Sequence, residues 1–571
     1  MMQILAWAWL FTLPGLLITA LGVPRGQKRA GYASLAGPAV LLVVAVVALV
    51  QGGSYAVTFA NWLPFLPDGA YRALADPLSA LMLAILGFVA VCVYVYSLGY
   101  MSDDPGKRRF FVYLDVFVAA MSLLVLAGNL AVLLIGWTGV GISSFLLISF
   151  WREKPGTLGA GLQALAANAV GDGALLLAAS IVPAGCGALV TLGTPQCTAG
   201  FGGAEFLALL LFVAAAAKSA QGPLYFWLPN AMAGPTPISA LIHAATMVAA
   251  GVYLLVRTYA LFALAPEVSL WVAVIGTATA IGASVVSFFQ ANFKKGIAYS
   301  TVAQLGYMFA AVGVGAPFAG LFHLYTHASF KALLFLAAGV VIHGANGLEG
   351  LAELRGLGRF FAYSRWGFLI GSLALIGTPL TAGAFSKDAI IEAALSSQPV
   401  IGWLLLACVL LTGLYIGRLF GIVYMAQARD AHAAHHDADA EPPMNGSLVP
   451  LMLGSLGLGW LGWLGWLAAA LAGTAGPAEV RPPILSLTGG VAFILGGVGF
   501  LGAVWYVLRP RAVVAAGETS YRPDPWVQVI ADVGYAVSEG VSRVQSGLLV
   551  RYAFGSLIGI AIILLVRVAV R

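Results

Sequence analysis

An all-α polytopic membrane protein is the fold class this sequence predicts, with about sixteen transmembrane helices and two inverted five-helix repeats containing discontinuous helices. Three observations lead there. Hydrophobic residues make up 61% of the 571 and charged residues only 9%, with a mean hydropathy of +0.95. Soluble proteins carry about 25% charged residues, so a soluble enzyme, a disordered chain and a nucleic-acid binder are excluded. Apolar runs of spanning length, about 20 residues each, recur along the chain. Lys and Arg gather in alternate connections, so the formal net charge of +6 reflects topology rather than attraction to nucleic acid.

The first run, residues 2–21, lacks a basic leader and is followed by Arg25, Lys28 and Arg29, so it is predicted to be a retained first helix. Further spans are centred near residues 43, 88, 118, 140, 171, 213, 248, 280, 307, 332, 378, 413, 460, 495 and 560. If the N-terminus lies outside, every odd-to-even connection lies inside. Those connections hold Lys107, Arg108 and Arg109, Arg152 and Lys154, Lys294 and Lys295, Arg355, Arg359 and Arg365, and Arg509 and Arg511. The other connections are nearly free of Lys and Arg, apart from Arg72, Arg257 and Arg481, so both ends are predicted outside. The chain divides into helices 1–3 (1–110), a first unit of helices 4–8 (111–260), a second unit of helices 9–13 (261–428), a polar loop (429–446), helices 14–15 (447–508), a short interfacial segment (509–549) and a last helix (550–571).

Cys92 and Cys408 lie in apolar runs and are predicted to be core residues. Cys186 and Cys197 share one outside loop, where a disulfide is expected. No Cys/His spacing fits zinc or an iron–sulfur cluster, so neither metal nor cofactor is expected in the chain. His432, His435 and His436, with Asp437 and Asp439, are read as a solvated loop rather than a metal site.

Ionisable residues inside apolar spans are costly and mark function. They are Asp172 and Lys218, the trio His323, His327 and Lys331, and the pair Lys387 and Asp388. The trio recurs every four residues, which on a helix aligns all three on one stripe about 6 Å apart. Imidazoles titrate near neutrality, and a buried lysine can alternate between charged and neutral forms, so such a row can carry protons through intervening water. Lys218 is followed by Gly222, Pro223, Pro229, Pro235 and Pro237, and Lys387 is preceded by Gly377, Pro379 and Gly383. Spans broken in this way expose backbone groups at mid-membrane, as ion carriers do. Each broken span follows three unbroken ones, which fits two five-helix units in opposite orientation.

The segments LPNAMAGPTPISALIHAATM (228–247), IAYSTVAQLGYMF (297–309), HLYTHASFKALLFLAAG (323–339) and FSKDAI (385–390) resemble the antiporter-like proton-translocating subunits of respiratory complex I, NADH-quinone oxidoreductase. ADPLSALML (75–83) and YSLGYMSDDPGKRRFF (96–111) resemble the subunit L branch, and VQSGLLVRYAFG resembles its last helix. The resemblance implies fourteen core helices in two inverted units plus two more spans, in a bacterial cytoplasmic membrane. It implies that Lys218 is the central lysine of the first unit, His243 the link between units, and Lys331 with His323 and His327 the connecting region. Lys387 and Asp388 would be the second unit's central site and exit. The implied partners are other membrane subunits of a complex I-like assembly, including another antiporter-like subunit, and the lipid bilayer, with no nucleic acid.

Two departures from the family pattern matter. Thr138 stands in GWTGVG where the family usually has Glu, and Ala169 precedes V-G-D where it commonly has Arg. A glutamate would stabilise a charged Lys218; threonine carries no charge. Asp115 is predicted to be about 7 to 10 Å from the depth of Thr138, too far to replace that glutamate, and is expected to be paired at the membrane edge. The first unit is therefore expected to be the weaker path. The segment WVQVIADVGYAVSEGVSRVQ reaches only about 30 Å if helical, enough for one neighbour rather than the row that the family's lateral helix runs along. Three functions follow in order: a proton-translocating subunit of a complex I-type assembly, an ion-translocating subunit of an Mrp-type cation/proton antiporter or inorganic-carbon uptake complex, and a membrane anchor.

Overall fold

The computed structural model describes residues 1–22, 31–61, 69–183, 186–198, 203–428, 441–465 and 486–509, with 63, 66, 467 and 471. The basic cluster at Arg25, the histidines of 432–436, the interfacial segment and the last predicted helix lie outside the described residues.

The chain is mainly helical, and ten of the described helices are long and apolar enough to cross a membrane. In order, the elements used below are α1 (Leu13–Ala20), α2 (Tyr32–Gln51), β1 (Tyr55–Asn61), β2 (Ala70–Ala75), α3 (Pro77–Tyr100), α4 (Lys107–Val125), α5 (Leu130–Ile148), α6 (Thr157–Ile181) and α7 (Gly203–Lys218). There follow α8 (Thr236–Ala244), α9 (Met247–Arg257), α10 (Pro266–Phe289), α11 (Phe293–Gly313), α12 (Pro317–Gly344), α13 (Ala362–Ile376), α14 (Ala382–Ser397), α15 (Pro399–Phe420), α16 (Pro442–Trp463) and α17 (Leu487–Leu508).

Helix starts follow the sequence. Asp76 caps α3 in a reciprocal box with Ser79, ahead of Pro77. Asn129 and Asn292 cap α5 and α11, and Pro266, Pro317, Pro399 and Pro442 open α10, α12, α15 and α16. α12 is buried along its whole length. Against it pack α3, α8, α9, α11, α13, α14 and α16.

Three expectations need correction. The chain is not all-α: β1 and β2 pair antiparallel, with Ala56 opposite Leu74. Alternate residues Tyr71, Ala73 and Ala75 of β2 are buried, a two-residue period that a search for apolar runs passes over. The hairpin continues into the α4–α5 connection through Leu74 N–H to Leu126 O at 2.8 Å and Gly128 N–H to Arg72 O at 2.8 Å. The first helix is not continuous. It forms Met2–Leu5, a 3-10 turn Ala8–Leu10 and α1, which Pro14 opens from within its first turn, where its missing N–H costs nothing. The span centred near 248 is divided as well, α8 ending at Ala244 and α9 starting at Met247, with Thr246 Oγ1 donating to Leu241 O at 2.6 Å across the break.

Cys186 and Cys197 are disulfide-bonded, Cα–Cα 5.2 Å, near the hairpin end of the bundle. The opposite, basic end carries Lys107, Arg108, Arg109, Arg152, Lys154 and Lys294. Arg257, an exception to the charge asymmetry, lies at the hairpin end without adding charge there. Its guanidinium is buried and donates through both Nη1 and Nη2 to Asp76, the latter at 2.9 Å to Oδ1, and through Nε to Tyr253 at 3.0 Å. Burial opposes ionisation of Asp76, yet the facing guanidinium and the Ser79 hydrogen bonds hold its carboxyl below the usual range.

Candidate functional site

His323, His327 and Lys331 share one stripe of α12, the two imidazole centroids 6.1 Å apart. All three are buried, so everything they meet is supplied by neighbouring helices. α11 supplies most of it. Lys331 Nζ donates to Ser300 Oγ at 2.7 Å. The adjacent Thr301 Oγ1 lies 3.1 Å from His243 Nδ1, which fixes His243 of α8 beside Lys331. Gln304 Oε1 accepts from His323 Nε2 at 3.1 Å, leaving His323 Nδ1 to accept from Ser386 of α14 at 2.9 Å. Thr326 Oγ1 meets the same Ser386 at 2.7 Å. The Tyr415 hydroxyl of α15 lies near Ser300, Gln304 and Thr412 without a hydrogen bond to any of them.

Lys387 follows Ser386 directly. Its Nζ donates to Leu375 O at 2.6 Å and sits 5.2 Å from the Tyr307 ring centroid. Leu375 is in the last turn of α13, whose free carbonyls form the negative end of the helix dipole, so an ammonium here caps a helix end inside the membrane. The turn between α13 and α14 makes that end available. Gly377 has φ 90° and Leu380 φ 73°, the latter a left-handed conformation that costs a leucine about 1–3 kcal/mol. A Cβ at Gly383 would collide with Ala374 O, so only glycine lets the half-helices approach. Asp388 lies on the same helix as Lys387, facing Glu392.

Lys218 repeats the plan in part. It is the last residue of α7, ahead of a break in which Ala220 has φ 50°. Its buried Nζ is 3.8 Å from Asp172 Oδ1 of α6 and 5.5 Å from the Trp137 ring centroid, and a Cβ at Gly141 would lie 3.0 Å from it. Asp172 is 22% exposed, Lys218 not at all. The Asp172 carboxylate also meets the Thr138 side chain. Asp115 is elsewhere: it accepts from Ser34 Oγ at 2.6 Å and Tyr94 OH at 2.9 Å and has no part in the Lys218 pair.

The structure thus brings His243, His323, His327, Lys331 and Lys387 into one buried row, with Asp388 at its end. Lys218 and Asp172 form a separate pair; among the described residues no hydrogen bond joins it to His243. Sequence reasoning missed the polar groups that hold the row, Ser300, Thr301, Gln304 and Ser386. Several stand in the motifs 297–309 and 385–390, and their four-residue spacing on α11 (Ser300, Gln304) was the available signal.

Two family models match the chain: "NADH:quinone oxidoreductase/Mrp antiporter, TM" over residues 127–414 and "NADH-Ubiquinone oxidoreductase (complex I), chain 5 N-terminus" over residues 70–111. NAD(P)H-quinone oxidoreductase subunit 5 of Paulinella chromatophora is 43% identical over 379 residues, 63% of this chain, and the chain spans only 56% of that relative's length. NADH-quinone oxidoreductase subunit L of Rickettsia bellii is 39% identical over 468 residues, 78% of this chain and 72% of the relative. Among solved structures, the Mrp complex from Dietzia sp. DQ12-45-1b contains a chain that superposes with a TM-score of 0.75 at 26% identity, covering 99% of this chain and 63% of that one. With its matched core running from the α4–α5 connection into α15, and with Lys218 and Lys387 set against the ends of broken helices, the chain belongs to the NADH:quinone oxidoreductase/Mrp antiporter family of membrane subunits.

Proposed function

We propose that this chain is a proton-translocating membrane subunit of a complex I-type NADH-quinone oxidoreductase, moving protons along its buried Lys/His/Asp row while redox chemistry in other subunits supplies the drive. The observation that carries this reading is the series of buried polar groups in the second half: Lys331 is held by Ser300 at 2.7 Å, and His323 by Gln304 at 3.1 Å and by Ser386, the residue before Lys387, at 2.9 Å. A proton taken up by the Lys331 amine passes to His323 through these groups and bridging water, and then to Lys387, where the carbonyl end of α13 stabilises the ammonium. Asp388 and Glu392 receive it on the exit side. His243, on α8 of the first half, is tied to the row through Thr301, and Asp172 balances Lys218 apart from it.

In this reading the chain holds no cofactor and performs no redox step. It has about sixteen spans with both termini on the outer side of a bacterial cytoplasmic membrane, and residues 111–260 and 261–428 form the two inverted units. The two half-helices that each end near a buried lysine, the basic end and the Cys186–Cys197 bond opposite it all support that arrangement. Its partners are neighbouring membrane subunits, another antiporter-like subunit among them, and lipid. The first unit, with Thr138 and Ala169, is the lesser path.

A second reading is favoured by the Dietzia Mrp likeness, which extends over 99% of this chain: an ion-translocating subunit of an Mrp-type cation/proton antiporter, or of an ion-driven inorganic-carbon uptake complex. Mass spectrometry of the assembly purified intact in mild detergent separates the two. Quinone-site and iron–sulfur subunits are expected to co-purify; small Mrp-type subunits or a soluble zinc protein in their place would establish the second.

A further inference from the structure

At the basic end, the stretch that leads into α8 carries two backbone oxygens that its own chain cannot serve. The nitrogens three residues after Met232 and Gly234, which would close a turn on each carbonyl, belong to Pro235 and Pro237 and carry no hydrogen. Lys294 of α11 supplies the missing donors. Its Nζ donates to Met232 O at 2.7 Å and to Gly234 O at 3.0 Å. It also meets Glu349 Oε1 at 3.0 Å, so the three ammonium donors all have an acceptor. Glu349 is fixed in turn. Its Oε2 accepts from Asn292 Nδ2 at 3.0 Å, and its backbone oxygen accepts from Phe293 N–H at 2.9 Å.

Lys294 is buried in the first turn of α11, where a cation faces the positive end of the helix dipole. Neither its burial nor its place favours α11 itself; what the residue holds is α8. That helix packs mainly against α12 and α3, and side chains join it to α11 at two levels. The outer level is Lys294 on the carbonyls of Met232 and Gly234. The inner level is Thr301, whose Oγ1 lies 3.1 Å from His243 Nδ1. Thr301 follows Lys294 by seven residues on α11, and His243 follows Thr236 by seven on α8, two turns and about 10 Å in each case. Both helices start at the basic end, so the two levels stay in step. The Phe335 ring of α12 covers one side of the His243 imidazole, centroids 4.6 Å apart, which leaves the depth of α8 to decide whether Nδ1 meets Thr301. The Lys294 charge is also within electrostatic reach of His243.

We propose that Lys294 is a positioning residue for His243: by holding the proline-broken entrance of α8 to the start of α11, it sets the depth at which His243 meets Thr301, and with it the join between α8 and the buried row. This role rests on the proton-translocating reading above. Lys294 exchanges no proton in it. Its amine stands in for the two N–H groups that Pro235 and Pro237 lack, and its effect reaches the row only through the place it gives His243.

The test measures proton translocation by the intact complex in liposomes for Lys294→Met, Thr301→Val and the two together, with Lys331→Ala beside them. Lys294→Met removes the outer level and is expected to slow translocation about tenfold or more, whereas Lys294→Arg, which keeps donors and charge, retains most of the rate. With Thr301→Val already present, Lys294→Met is expected to cost nothing further, because His243 has lost the contact that Lys294 sets; a lysine that merely stabilised the fold would cost the same in both backgrounds. Losses that multiply in the double variant overturn the positioning role. So does an unchanged rate in Lys294→Met or in Thr301→Val while Lys331→Ala abolishes translocation. Translocation that survives Lys331→Ala overturns the proton-translocating reading beneath it. Should Lys294→Met fail to assemble, Lys294→Gln, whose shorter amide keeps part of the donor set, takes its place in the same comparison, and the same outcomes decide.

Discussion

Replacing Lys387 should cost far more transport than replacing Lys218, and the structure sets the scale. The Lys387 ammonium is held by a charge-assisted hydrogen bond to Leu375 O at 2.6 Å, worth about 1.5–3 kcal/mol. The carbonyl end of α13 adds up to about 2 kcal/mol in a partly buried setting. A proton crossing the second half without this station gives up about 3 kcal/mol, the middle of that range, and with each 1.36 kcal/mol a factor of ten, Lys387→Met should slow translocation on the order of a hundredfold. Lys218 lies outside the hydrogen-bonded row, its nearest carboxylate 3.8 Å away. Lys218→Met leaves every link from His243 to Lys387 in place and should cost less than about twofold. The assay is proton translocation by the reconstituted complex, normalised to assembled protein. Equal losses from the two variants would refute the argument, because they would make Lys218 an obligatory station.

Two further outcomes concern buried charge. At 3.8 Å and an effective dielectric constant of about 20, Asp172 stabilises the Lys218 ammonium by roughly 4 kcal/mol. Asp172→Asn should therefore lower the unfolding temperature of the purified complex, and Lys218→Met added to it should recover most of the loss; a double variant no more stable than Asp172→Asn would show that the two do not interact. At the hairpin end, Asp76→Asn leaves the Arg257 guanidinium buried without its counter-charge, a cost of about 3–5 kcal/mol. Folded yield should fall steeply, and a yield equal to that of the unaltered chain would count against the tie.

The ionisable residues of the site were legible in the sequence because hydrocarbon makes each one costly, so its presence demands a reason. The four-residue spacing on α12 was equally legible, since helix geometry alone sets it. The groups that join these residues were not. Serine, threonine and glutamine occur in spans for many reasons, and only the packing of α11 and α14 against α12 selects Ser300, Gln304 and Ser386 as links. Asp76 and Arg257 are 181 residues apart, and no local pattern pairs them. From sequence, Arg257 counted against the orientation bias; folded, its charge is cancelled in place. The hairpin was hidden for a different reason: its period is two residues, and the reading that finds spans is tuned to long apolar runs.

Thr138 shows how one substitution can be read in two ways. In sequence it is a lost charge, and the loss implies a lysine without support. In the folded chain the same threonine meets the Asp172 carboxylate, and that carboxylate faces Lys218. The counter-charge is therefore present, but it comes from α6 rather than α5, and from a side chain that is 22% exposed where Lys218 is not exposed at all. The two halves differ less in whether the lysine is stabilised than in what stabilises it: a partly exposed carboxylate of α6 at 3.8 Å for Lys218, and the carbonyl end of α13 at 2.6 Å for Lys387, so the first is open to screening from outside the bundle and the second is not.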